Sequence, residues 1–198
     1  MASLFNDRRF YELANNKLAS MESKINKLDK SDFEDSSIDE LAEKYHNDMR
    51  IETPTLREAE ISQKPPEDIT INHRGRGYSS GAKIPGTMYT LVLPFDGYPD
   101  MLGVFPSSHS TILPKGEIEG DEIRIVYRVP VGEDAAAPIK ADFDRNLNLI
   151  KEYLGYLSND VNTFNDKLLA ALKVGLERRR QKLDKDDETA RDLGFPIK

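Results

Sequence analysis

Residues 143–183, FDRNLNLIKEYLGYLSNDVNTFNDKLLAALKVGLERRRQKL, are the stretch on which the fold turns. Their apolar positions Phe143, Leu147, Ile150, Leu154, Leu157, Val161, Phe164 and Leu168 step by four and three in alternation. That is the spacing of a helix burying one narrow seam against another helix. No proline interrupts it. Asp142 or Asp144 can cap its start, while Gly155 and Gly175 each cost on the order of 1 kcal/mol relative to alanine. A helix of roughly 40 residues would span on the order of 60 Å, more than the N-terminal part of the chain can cover. A bend or break near Asn159–Asn165 is therefore expected, giving a helical hairpin; otherwise a second chain covers the excess.

Toward the N-terminus, residues 7–28 repeat the pattern, with Tyr11, Ala14, Leu18, Met21, Ile25 and Leu28 spaced three and four apart and Phe10 and Leu13 widening the apolar face. This predicts a second seam helix and the partner of the first, with Ile150, Leu154, Leu157 and Val161 packed against Ala14, Leu18, Met21 and Ile25. Residues 29–36 are polar and read as a loop. Ser37 is placed to N-cap a short helix, Ile38–Met49, whose Asp39 and Glu40 suit the positive N-terminal end. Pro54 bars its continuation.

From about Leu56 to Val131 the period changes to two. Short β-branched or aromatic runs, Ile69–Ile71, Met88–Leu93, Met101–Phe105 and Ile123–Val129, are separated by proline and glycine punctuation. The alternation Ile123, Ile125, Tyr127, Val129 is the clearest strand, with Arg124 and Arg128 on its wetter face. Residues 132–138 read as a linker. The expected class is α+β: long helices at both ends of the chain pair as a helical stalk, and a small, mostly antiparallel β module is inserted between them. The segments are 1–53 (N-terminal helices), 54–132 (β module) and 133–198 (long helix or hairpin).

The chain of 198 residues carries a formal charge of -7, which argues against a surface built throughout to clamp nucleic acid. Charged residues at 32% and a mean hydropathy of -0.60 fit exposed helix surface. The absence of cysteine excludes a disulfide framework and a thiolate nucleophile. No run approaches the roughly 18 apolar residues of a membrane span, and the N-terminus lacks a signal-type apolar core, so a cytoplasmic protein with no membrane partner is expected. The apolar segment Phe195-Pro196-Ile197-Lys198 reads as the beginning of something further.

Among candidate sites, the loop 72–83 brings together Arg74, Arg76, Tyr78 and Lys83 between glycines that allow close backbone approach; arginines can hold phosphate bidentately and tyrosine can stack on a base. It is not a Walker loop, because Ala82 separates Gly81 from Lys83. Its bland reading is a flexible excursion between strands. Pro99-Asp100 followed by Glu122-Ile123-Arg124 superficially matches a metal-nuclease arrangement, but arginine replaces the needed lysine. Ser107, Ser108, His109 and Ser110 form a polar turn without the acid that a triad requires. His46, His73 and His109 have no ligand spacing between them, so neither a metal nor a cofactor is expected. The basic run Arg178, Arg179, Arg180, Lys182 and Lys185 is interleaved with acids and reads as a solvated helix face.

The segments Leu93-Pro94-Phe95-Asp96-Gly97, Phe105-Pro106-Ser107, the strand 123–129, Asn162-Thr163-Phe164-Asn165, the run 177–183 and the end 193–198 together resemble the N-terminal region of uncharacterised bacterial proteins. In these a restriction-endonuclease-like domain associated with phage defence follows. The resemblance implies a non-catalytic assembly or sensing segment, with any nuclease residues beyond Lys198. The functional expectation is accordingly an interaction or oligomerisation domain, not an enzyme. Its interface would be the helix seam Leu18, Met21, Ile25, Ile150, Leu154, Leu157, Val161, Phe164 and Leu168, and its partner a second copy or another protein. The alternative is a nucleic-acid-binding module using the loop 72–83.

Overall fold

The computed structural model of the chain describes residues 2–73 and 82–195. The fold is α+β. In chain order its regular elements are β1 (Arg8–Arg9), α1 (Phe10–Asn26), α2 (Ile38–Met49), β2 (Thr55–Leu56), β3 (Ser62–Gln63), β4 (Glu67–His73), β5 (Ala82–Asp96), β6 (Val104–Phe105), β7 (Glu117–Glu119), β8 (Glu122–Pro130) and α3 (Ala136–Leu193). They form two compact units, Met1–Arg9 with Glu52–Ser158, and Phe10–Ile51 with Asn159–Lys198.

In the first unit, β5 is the organising strand. It pairs antiparallel with β8 along one edge and with β4, β3 and β2 in succession along the other, and β7 adds to the far side of β8. Ile123 and Ile125 of β8 are buried, with Arg124 between them on the wetter face, the inside/outside alternation a strand imposes. Gly86 sits mid-strand because nothing larger fits: a Cβ there would lie 2.2 Å from Ile71 Cδ1 and 2.9 Å from the Val129 carbonyl. The β7–β8 hairpin turns at Gly120-Asp121, with Gly120 at a φ of 62°, as a two-residue turn led by glycine requires.

Two features of this unit differ from what the sequence predicts. The expected strand Met101–Phe105 is extended only at Val104–Phe105, because Pro99 starts a 3-10 turn, Pro99–Gly103, that carries Met101 and Leu102 into the core. The first residues of the chain also join the β unit. Leu4 donates its N–H to the Pro114 carbonyl (2.9 Å), Phe5 to Leu102 (2.6 Å) and Asp7 to Gly103 (2.9 Å), and β1 pairs in parallel with β6. Leu4 and Phe5 are buried, and the Phe5 ring lies 5.3 Å from that of Tyr153.

Helix α3 starts at Ala136, seven residues before Phe143, and takes Pro138 into its first turn. Proline is tolerated there because the N–H groups of the first turn have no helical acceptor in any case. The helix then continues without interruption to Leu193, so the break expected near Asn159–Asn165 does not occur. Its Phe143, Ile150, Tyr153, Leu154 and Leu157 are buried in the first unit, and Val161, Phe164, Leu168, Leu172 and Leu176 in the second.

In the second unit, α2 opens with a capping box. The Glu40 N–H donates to Ser37 Oγ (3.2 Å) and the Ser37 N–H to Glu40 Oε2 (2.8 Å). The Ser37 N–H and the Ser37 hydroxyl, which also donates to Glu40 Oε2 (2.8 Å), hold the Glu40 carboxyl below its usual range. The core adds Phe10, Met21, Ile25 and Leu28 from the α1 segment, Phe33, and Leu41, Ala42 and Met49 from α2. Phe10 meets Phe164 edge-on with centroids 6.3 Å apart. Phe10, not Tyr11, therefore faces inward; Tyr11 is 58% exposed.

Candidate functional site

The second unit carries a surface groove of about 540 Å³ between α1 and α3. Met21, Glu22, Ile25 and Asn26 make one wall, Ala170, Ala171, Val174 and Gly175 the floor, and Arg178, Arg179 and Lys182 the end. The sequence builds it locally. On α3 the large side chains Leu168, Leu172 and Leu176 point to the core and are fully buried, while the positions beside them are small. α1 comes close to α3 at Gly175, where a Cβ would stand 2.9 Å from Ile25 Cδ1. Val174 is left 54% exposed at the centre of the floor.

The basic end of the groove divides by role. Arg179 donates from Nε (2.8 Å) and a terminal nitrogen (2.6 Å) to the Leu28 carbonyl, where the chain leaving α1 presents carbonyls without helical partners and a cation suits the negative helix end. Lys182 pairs with Asp186 one turn on (2.7 Å), with both side chains more than half exposed. Arg178 is exposed on the groove's edge. Nearby, Lys173 pairs with Asp39 of α2 (2.7 Å), and that hydrogen bond holds the lysine above its ordinary range. Lys30 is likewise raised by its bond to Asp187, whose carboxyl is lowered in return.

Of the residues that the sequence marks as candidates, Arg74, Arg76 and Tyr78 lie outside the described residues. Lys83 is exposed on β5, opposite Asn72 of β4. Ile150, Leu154 and Leu157 belong to the first unit, whereas Leu18, Met21, Ile25, Val161, Phe164 and Leu168 belong to the second. Within the second unit α1 meets α3 at Phe164 and along residues 170–182, further along the helix than the expected register. Arg124 pairs with Glu119 and with Glu122 (2.9 Å) of its own hairpin. The His109 ring lies against Phe105, 4.4 Å between centroids. Among the described residues no group of three or more His, Asp or Glu is placed to hold a metal ion, and no helix is long and apolar enough to cross a membrane.

The groove floor escapes the seam pattern because heptad spacing weighs large apolar side chains, and here the informative residues are small. The readable signal is the cluster Ala170, Ala171, Val174 and Gly175, four small or β-branched residues on a helix otherwise rich in leucine. No family model, curated protein or solved structure matches this chain.

Proposed function

We propose that the chain is an assembly module, which associates with a second copy of itself through a helical stalk of α1, α2 and the second-unit part of α3. The observation that carries this reading is the exposure of Val174 in the middle of a floor of small residues. Small side chains let a second helix approach closely, and an exposed β-branched residue at the centre gains from being covered. The flanking charges are of both signs, Asp166 before the floor and Arg178 and Lys182 after it, so a second copy supplies its own complement. The family resemblance of the sequence supplies a context, in which this non-catalytic segment assembles a bacterial defence-type nuclease protein. Leu168, which the sequence places in the seam, and its neighbour Leu172 are not the contact, because both are fully buried inside the unit.

Light scattering across a concentration series tests the reading. The wild-type chain should dimerise, and Val174→Glu should be monomeric with an unchanged circular dichroism spectrum. A wild-type chain that stays monomeric at every concentration overturns the proposal.

A further inference from the structure

Five residues of α3 recur at intervals of four, Asp166, Ala170, Val174, Arg178 and Lys182, in a row that turns by about 40° at each step, so that its two ends stand to either side of Val174. All five are exposed. Residues four apart lie one above the other on a helix face and form the ridges that most often interlock between helices. The row is acidic at its N-terminal end, small and apolar in the middle and basic at its C-terminal end. We infer that two copies of the chain meet along this row with their α3 helices antiparallel and the two-fold axis at Val174, so that Asp166 of each copy faces Lys182 of the other. The inference rests on the self-association reading above and adds its orientation and register.

Charge selects that arrangement. In a parallel pairing Asp166 would face its own counterpart, and Arg178 and Lys182 theirs, three like-charge contacts at each of which repulsion opposes the complex. In the antiparallel register position 166 faces 182, position 170 faces 178 and Val174 faces itself. Ala170 then leaves room for the long stem of the second copy's Arg178, whose guanidinium reaches on toward Asp166. When rows of this kind interdigitate from both helices, the rows themselves run alongside one another, which keeps the end charges together with the centre. Lys182 is already paired with Asp186, but that pair is exposed and lies along one helix, the kind of contact that is readily shared or exchanged. Met21 and Ile25, with Glu22 and Asn26, line the α1 side of the same groove and flank the incoming helix.

The chain has no cysteine, so single cysteines report the register directly. Under mild oxidation Val174→Cys should cross-link to itself. Ala170→Cys alone should not, while an equimolar mixture of Ala170→Cys and Arg178→Cys should give the mixed dimer, since a disulfide requires Cα atoms within about 7 Å. In parallel, Asp166→Lys and Lys182→Glu should each weaken dimerisation by about tenfold or more, and the double variant should recover most of that loss. Circular dichroism on each variant confirms folding. Dimers in which Ala170→Cys links to itself, or in which the double charge reversal is no tighter than either single one, overturn the antiparallel register while leaving self-association standing. Absence of any wild-type dimer overturns both.

Discussion

Along α3, the residues up to Ser158 lie against strands and irregular chain, whereas those from Asn159 onward lie among helices. The polar side chains on the helix differ accordingly. In the first unit, Asn146 bonds the Lys115 backbone in both directions, accepting its N–H at 2.8 Å and donating to its carbonyl at 2.7 Å. Tyr153 donates to the Ser110 carbonyl at 2.7 Å, and Tyr127 of β8 donates to Asp142 at 3.2 Å. In the second unit, α1 and α2 satisfy their own backbones except at their ends, and it is at those ends that α3 offers polar groups. Asn165 accepts the Ile51 N–H (3.0 Å) and donates to its carbonyl (2.9 Å) just past α2, and Arg179 holds the Leu28 carbonyl just past α1. A backbone group leaving regular structure must find a partner, and a neighbouring helix can provide one only from a side chain. Asn146, Tyr153, Asn165 and Arg179 therefore bond backbone groups that lie outside helices and strands.

The sharpest way to break this comparison is to destroy one core and follow the other. Leu157 and Leu172 are both fully buried, one in each unit. Replacing either by aspartate removes a large apolar side chain and buries a carboxylate without a partner, a loss of about 3–5 kcal/mol. Hydrogen exchange should show Leu172→Asp stripping protection from α1 and α2 while β5 and β8 keep theirs, and Leu157→Asp doing the reverse. Loss of protection in both units from either change would mean that the two fold as one.

Smaller effects separate the two asparagines. Asn165→Ala leaves the partly buried Ile51 N–H and carbonyl without partners and should cost about 1–3 kcal/mol, whereas Asn146→Ala exposes the Lys115 backbone to water and should cost about 1 kcal/mol or less. Urea denaturation of the two variants checks this. Equal costs would show that burial does not distinguish the clamps.

The smallest contrast lies between the two glycines inside the helix. Nothing stands within 4 Å of a Cβ added at Gly155, while at Gly175 it would stand 2.9 Å from Ile25 Cδ1. Gly155→Ala should therefore stabilise the chain by up to about 1 kcal/mol through helix propensity alone. Gly175→Ala should gain less or lose, because Ile25 must shift to make room. A thermal melt of each variant reads the difference, and an equal gain at both positions would show that packing against Ile25 does not require a glycine at 175.

A break near Asn159–Asn165 is expected from helix length, because the N-terminal part of the chain cannot cover all of it. The tertiary contact reverses that reading at Asn165, whose carboxamide is engaged by the Ile51 backbone, and Thr163 Oγ1 donates to the carbonyl one turn back, that of Asn159 (2.9 Å). The seam of α1 was legible at Met21, Ile25 and Leu28 but not at its start, where Phe10 displaces Tyr11 because the inward direction depends on where Phe164 lies. The small-residue groove was written in the sequence at 170–175, yet its meaning depends on Leu168, Leu172 and Leu176 occupying the opposite face.

What the sequence determined by itself was local. Ser37 and Glu40 specify the start of α2 because both partners of a capping box lie within one turn. Ile123 and Ile125 specify the inner face of β8 because a strand alternates its side chains, and the recurrent apolar positions from Phe143 to Leu168 specify which side of α3 is buried because a helix repeats every 3.6 residues. What only the tertiary structure decided was the identity of the partners. These include the N-terminal residues Leu4 and Phe5 joining the β unit, the division of α3 between two cores, and the backbone groups that Asn146, Asn165 and Arg179 satisfy. Periodicity records that a face is covered, but hydrophobic burial is non-directional. The choice among equally apolar partners rests on chain connectivity, shape and the unpaired backbone groups that folding brings within hydrogen-bonding reach.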